Sequence, residues 1–455
     1  MPKNSIFSSL FLALSLLLSP LSGLWAESGK QQIVLISDPE LSDFLEILAK
    51  PLIEEAGLLS ENVRFHVILN SDLNAMALPS NDIILNSGLL LRAESRDEVA
   101  GVMAHEIAHL SAGHHIQLKS ELKNLSLQSL LFGALGVAAG VASGDSRVAQ
   151  ATIMGGTAAG HTHLLAGQRR KETQADRLAV LYLSKAGFEP QGLSAFMERI
   201  QKEQKGSTLP PPYLLSHPLS STRLVEIRQM AKDNRPSFQR PESEKEVLIR
   251  VQAKLLAASI DPPDPIIQQF ESQLKKDPNH HTARYGLGVA QRYAGKLPES
   301  ESHFTRLLTQ YIDDPYILWE RGRTRVDWGK MVEAENDFRK ALLALPKNQD
   351  FLYWLAFTLS EQKKYQGAGR ILRKLTIKYP RDSQYFYLLG MVEGKNNRPA
   401  SGHLALGRYY ALRQEYTTAL WHLNESIRLF PEQSIERNIA KEEKSRVNAL
   451  VSKKE

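Results

Sequence analysis

The chain has 455 residues, 42% of them hydrophobic and 23% charged, a formal net charge of +6 and no cysteine. That length exceeds one ordinary domain, so two or three are expected, and the composition is that of a globular protein. The missing thiols exclude a disulfide framework and lipid attachment at cysteine, and no Lys/Arg block argues for nucleic-acid binding.

Residues 1–26 read as a secretory signal peptide. Lys3 supplies the positive start, "IFSSLFLALSLLLSPLSG" the apolar run, and "LWA" ending at Ala26 the cleavage site. An uncleaved anchor is the alternative, but the run is short for a spanning helix. Export without disulfides fits a bacterial periplasm, and places the whole burden of stability on core packing.

Residues 27–235 read as one mixed α and β domain. "QQIVLIS" alternates weakly, and "SDPELSDFLEILAKPLIEEAG" has helical period, with Ser37 or Asp38 as cap and Pro39 in the first turn. "VRFHVIL" (63–69) and "DIILN" (82–86) are strand-like, and "NAMALPSN" between them is a turn or edge segment, because Pro79 lacks a ladder donor. From Ser95 to beyond His109 the pattern is helical, with Val99, Val102, Met103 and Leu110 marking a largely buried helix.

Next comes a Gly/Ala-rich stretch, 124–168, in which only Asp145 and Arg147 are charged. Its two uncharged halves are each long enough to cross a bilayer, but their Ser, Thr, Gln and His content is high for insertion. Two small-residue helices forming a lid or a membrane-facing flap are expected, with a membrane hairpin as the alternative and peripheral membrane contact as the consequence. Helical signal resumes at Arg169. A loop spans 207–223, and "AKDNRPSFQRPESEK" (231–245) is the expected domain boundary.

Beyond that boundary the sequence repeats. Gly288, Gly322, Ala356 and Gly390 stand 34 residues apart, Ala334 and Ala368 follow two of them by twelve, and Phe338 and Leu372 by sixteen. Pro346 and Pro380 close these repeats, while the first keeps Gly288 and Phe304 but has Ser300 at the small position. This small/large alternation resembles tetratricopeptide repeats, so an all-α solenoid is expected over 245–435, then a charged tail, 436–455. The last match, set by Gly407, Ala419, Leu423 and Pro431, lies 17 residues out of phase with Gly390, as though one extra helix were inserted.

The chemistry sits in "MAHEIAHLSAGHH" (103–115). His105 and His109 are four apart on a helix, roughly 40° apart around its axis, so both imidazoles can meet one ion. Glu106 projects beside them, within reach of a water on that ion. This is the H-E-x-x-H arrangement in which two histidines bind zinc and the glutamate is general base. A third ligand is needed, and Glu172 in "RRKETQADRLAVLYL" supplies it: His₂Glu plus water is a catalytic zinc set. Asp176, one turn on, is placed to accept from the far nitrogen of a liganding histidine and set its tautomer.

His105-Glu106-x-x-His109 with Glu172-x-x-x-Asp176, and "NAMALPSNDIILNSGLLLRAESRDEVAGVMAHEIAHL" around them, resemble the M48 family of zinc metallopeptidases, and the trailing repeats resemble its periplasmic members. The family commonly has Gly-Gly after Ala-Leu-Pro, where this chain has Ser80 and Asn81. The resemblance implies an α+β zincin-like domain, mostly helical with a small sheet, and one Zn²⁺ per chain. It implies that Asn74, Ala75, Met76 and Ala77 are the edge strand on which an extended substrate pairs. It also makes His217, in "SHP", a catalytic histidine that stabilises the oxyanion or fills the open metal position at rest, and Arg223 a catalytic residue that helps hold the oxyanion, binds substrate or braces the loop. His114 and His115 are then packing residues or supports behind the ligands, since His114 points half a turn from His105 unless Gly113 breaks the helix.

The function expected from these readings is a zinc endopeptidase of envelope protein quality control. By resemblance its partners are unfolded or misassembled outer-membrane β-barrel proteins and their assembly machinery, recruited by the repeats. The competing reading is a repeat-based scaffold or chaperone whose peptidase is latent.

Overall fold

The computed structural model describes residues 34–78, 80–114, 167–204, 212–236, 238–260 and 262–452. The signal peptide, Pro79, His115 and the Gly/Ala-rich stretch up to Ala166 lie outside them. No helix among the described residues is long and apolar enough to cross a membrane.

The chain divides into two compact units between Leu255 and Leu256. The first opens with β1 (Leu35–Ile36) and α1 (Pro39–Glu55). The Asp38 carboxylate caps α1 by accepting from the Leu41 amide at 2.9 Å, with Pro39 pre-set for the first turn. Leu41, Phe44, Leu45, Leu48 and Leu52 line its buried face. Each such side chain contributes about 1.5–3 kcal/mol by leaving water.

A sheet follows, built from β2 (Arg64–Ile68), β3 (Ala75–Ala77) and β4 (Asp82–Asn86), in the order β1-β2-β4-β3. β2 and β4 are parallel, β1 pairs antiparallel with β2, and β3 pairs antiparallel with β4. The segment read as turn or edge is therefore the edge strand β3. Its hairpin closes by Leu78 N–H donating to the Asp82 carbonyl at 2.8 Å, and Asn81 there takes a left-handed φ of 61°. Asparagine tolerates that conformation better than most side chains.

The helices that carry the chemistry pack beneath. After α2 (Ser87–Arg92), α3 (Arg96–Ser111) is capped by Ser95 Oγ and is buried along almost its whole length. α4 covers 167–185, then come α5 (Gln191–Gln204), α6 (Pro212–Ser216) and α7 (Ser221–Asp233). α3 and α5 cross backbone to backbone: a Cβ on Gly101 would sit 2.7 Å from the Leu193 nitrogen, and one on Gly192 would overlap the Asp97 carbonyl.

α8 (Ser243–Ser259) was expected to open the repeats, yet its side chains belong to this first unit. Leu248, Val251 and Leu255 join the core, Lys254 pairs with Asp38 at 2.9 Å, and Arg250 pairs with Glu40 at 2.6 Å. The proline-containing stretch at 231–245 is thus an internal turn between α7 and α8.

The second unit is helical throughout: α9 (Asp264–Lys276), α10 (His281–Tyr293), α11 (Leu297–Leu308), α12 (Pro315–Asp327), α13 (Met331–Ala344), α14 (Gln349–Glu361), α15 (Tyr365–Lys378), α16 (Ser383–Lys395), α17 (Pro399–Leu412), α18 (Tyr416–Leu429) and α19 (Ile435–Val451). The 34-residue spacing is steric in origin. A Cβ on Gly288 or Gly322 would stand 2.8 or 2.7 Å from the ring of Phe304 or Phe338, so the paired helices close up where the side chain is missing. Ser300 fits the small position because its hydroxyl donates to the Gly288 carbonyl at 2.7 Å.

No surplus helix accounts for the 17-residue phase shift. α17 belongs to two pairs at once. Gly402 and Leu406 on it meet Gly390 of α16, as the second helix of a repeat does, while its Gly407 meets Leu423 of α18, as the first helix does. The turns agree: left-handed residues fall at 295, 329, 363 and 397, then at 414. The expected charged tail is also helix, since α19 buries Ala440 and Val447, the latter against Ala419 and Leu423.

Candidate metal centre

Four side chains from three places in the chain converge inside the first unit. α3 presents His105 and His109, α4 presents Glu172, and the turn after α6 presents His217. Their donor atoms all lie within 4.8 Å of one another. His105 Nε2 is 3.1 Å from His109 Nε2, 3.3 Å from His217 Nδ1 and 3.4 Å from Glu172 Oε2. Glu172 Oε1 is 3.5 Å from His109 Nε2, and its Oε2 is 3.2 Å from His217 Nδ1. A tetrahedral ion with bonds of about 2.0–2.1 Å holds neighbouring donors about 3.3–3.4 Å apart, so this set fits one zinc-sized cation. A single proton on His105 Nε2 could not serve three acceptors together, whereas a cation can.

Electrostatics supports that reading. Burial disfavours a charged His105, but the Asp176 and Glu172 carboxylates beside it outweigh burial and hold its pKa up, at about 10. Burial and the neighbouring His105 push His109 down to about 2. Burial would raise Glu172, yet His105 and His217 hold it well below the carboxylate range. These shifts favour Glu172 as the anion and His109 as the neutral imidazole, the forms in which such groups bind a metal.

Behind the donors lies a bracing layer. His105 Nδ1 is 3.1 Å from Asp176 Oδ1. Asp176 in turn accepts two bonds from Arg223, at 2.8 and 2.9 Å. The same guanidinium stands 3.2 Å from Glu172 and donates to the Pro218 carbonyl at 2.6 Å, tying the His217 turn to α4. Arg223 is buried in these contacts.

Glu106 lies beside the donor set, not within it. Its Oε2 accepts from the Ala77 amide at 3.0 Å, and its Oε1 stands 3.5 Å from His217 Nε2. The edge strand is thus bonded to this carboxylate. On the same strand Ala75 is buried, Met76 is exposed opposite Ile84, and the Asn74 carbonyl accepts from the Asn86 amide. A cavity of about 460 Å³ opens beside Glu172, lined by Gln168, Arg169, Thr173 and Leu219 among others.

Tyr213 was not visible from sequence. It is fully buried and stacks on the His217 ring, with centroids 4.6 Å apart and planes at 27°. Burial, with Glu106 and Glu172 nearby, pushes its pKa far up, so it stays a neutral phenol. The "YLLSH" spacing of four on a short helix was the only available signal.

Residues 39–231 match peptidase family M48, and 267–315 and 327–392 match tetratricopeptide repeats. The chain carries an M48 peptidase domain. The M48 domain makes the protein a metalloendopeptidase, and tetratricopeptide repeats follow it. The beta-barrel assembly-enhancing protease of Escherichia coli (strain K12) is 26% identical over 383 residues, 83% of this chain and 77% of that one. The putative beta-barrel assembly-enhancing protease of Vibrio cholerae serotype O1 is 26% identical over 399 residues, 87% of this chain and 81% of that one. Metalloprotease YcaL of Escherichia coli (strain K12) is 31% identical over 166 residues, 36% of this chain and 61% of that one.

Proposed function

We propose that the protein is a zinc endopeptidase of the bacterial periplasm that acts in outer-membrane protein quality control. The observation that carries this is the convergence of the donor atoms of His105, His109, Glu172 and His217, with Glu106 facing them. A zinc ion held by His105, His109 and Glu172 supplies Lewis acidity to a scissile carbonyl and lowers the pKa of water in its open position towards ~7.

The chain's own residues do the rest. Glu106 takes the proton of the attacking water on Oε1, since Oε2 is committed to the Ala77 amide, and passes it to the leaving nitrogen. An extended substrate pairs with β3 over Asn74 to Ala77, which sets its carbonyl next to that carboxylate. His217, rotated from its present position, donates from Nε2 to the developing oxyanion. Arg223 keeps Asp176 and Glu172 in place. The export signal, the repeats and the names of the similar proteases together favour misassembled outer-membrane β-barrel proteins and their assembly machinery as partners.

A second reading has one observation in its favour. His217 Nδ1 sits among the donors, where the substrate carbonyl or water belongs. The peptidase is then closed at rest, and the repeats act as a scaffold until a client displaces His217. Glu106→Gln separates the readings. It is expected to keep one zinc per chain by elemental analysis and to stop cleaving an unfolded protein. Cleavage at the wild-type rate would sink the mechanism. Rescue of a deletion strain by the same variant would favour the scaffold.

A further inference from the structure

His109 is supported from behind by a residue that the H-E-x-x-H spacing does not include. Gly113, at φ 64°, stands in the left-handed region just past the end of α3. Next to it, His114 is buried against His109, with the two Nδ1 atoms 3.0 Å apart. The other nitrogen of His114 lies 3.3 Å from Gln174 Oε1 on α4.

We propose that His114 is a positioning residue for the metal site: it accepts the outward N–H of His109 and so fixes the tautomer and ring angle that turn His109 Nε2 to the ion. This rests on the reading that His109 is a ligand. The direction of each bond follows from the far end. An amide oxygen can only accept, so His114 carries its hydrogen on Nε2 and leaves Nδ1 as a lone pair. His109 Nδ1 must then be the donor, and its Nε2 is left bare and aimed at the other donors. α4 thereby braces both histidines. Asp176 stands behind His105, and Gln174, two residues earlier, stands behind His109 by way of His114.

The test is the zinc dissociation constant of the full chain, measured by chelator competition, with the melting temperature of the metal-free protein as the control for folding. Wild type binds one zinc and His109→Ala does not; zinc binding unchanged in His109→Ala would overturn the ligand reading itself. His114→Phe keeps a ring of similar bulk without an acceptor and is expected to weaken zinc binding by about 10–100-fold. His114→Asn keeps an acceptor without the ring and is expected to bind close to wild type. Gln174→Leu should weaken binding by a smaller factor and Gln174→Glu should not. If the phenylalanine variant binds as tightly as wild type, or the order of phenylalanine and asparagine is reversed, His114 is a space-filler and the proposal fails.

Discussion

Arg223 joins the two buried carboxylates of α4, Asp176 and Glu172, behind the metal centre. Removing it leaves Asp176 and Glu172 buried with His105 as their remaining partner in common and takes away both guanidinium bonds to Asp176, a loss that is destabilising for buried charge. Arg223→Ala is therefore expected to speed hydrogen exchange in α4 and α7, read by mass spectrometry. Arg223→Lys should recover little, because a point charge cannot span both oxygens of Asp176. Unchanged exchange in the alanine variant would show that the ion pair is not what holds these helices. At this scale, what was legible was what local spacing dictates. His105, Glu106 and His109 share one helical stretch, and Glu172 and Asp176 share another, so a fixed period announces each group. The Ala77 amide on Glu106 announces nothing, because it is a backbone group, and the Tyr213 ring on His217 announces little beyond a spacing of four, because its place is set by how α6 meets the core.

The helix carrying His105 and His109 owes its place to a crossing that leaves no room for side chains. Gly192→Ala drives a methyl into the Asp97 carbonyl. The helices must separate, at a cost of about 1–3 kcal/mol by analogy with overpacked cores. A lower melting temperature together with weaker zinc binding is expected, since α3 bears two donors and α5 none. Normal melting with normal zinc binding would mean the crossing is slack. The elements with a clear local signal were readable: α1 by its buried face and Asp38 cap, β2 and β4 by their β-branched residues, and α3 by its nearly continuous apolar run. α8 and α19 were misassigned because a charged helix and a charged linker or tail look alike in composition. Only the partners of Lys254, Arg250 and Val447 reveal the difference.

On the scale of the whole chain, each unit keeps its own core, and the repeat unit carries a pH dependence of its own. Burial, with Arg284 and Arg306 alongside, pushes His303 down to about 4. Burial and the adjacent His403 do the same to His422. Both groups resist protonation when folded but accept it when unfolded, so the unfolded state binds more protons as pH falls below about 6.5. The repeats should lose stability progressively from about pH 6.5 to 4. His303→Gln should flatten that decline in urea titrations followed by tryptophan fluorescence, which reports only on the repeats among the described residues. A decline of unchanged slope would reject His303 as its source. The double membership of α17 has a different consequence. A repeat array is read in frame, with first helices on one face and second helices on the other, and a shared helix is a frameshift. The run of first helices, α10, α12, α14 and α16, ends at α17, which is second helix to α16 and first helix to α18. Two glycines five residues apart, 402 and 407, mark that change of frame.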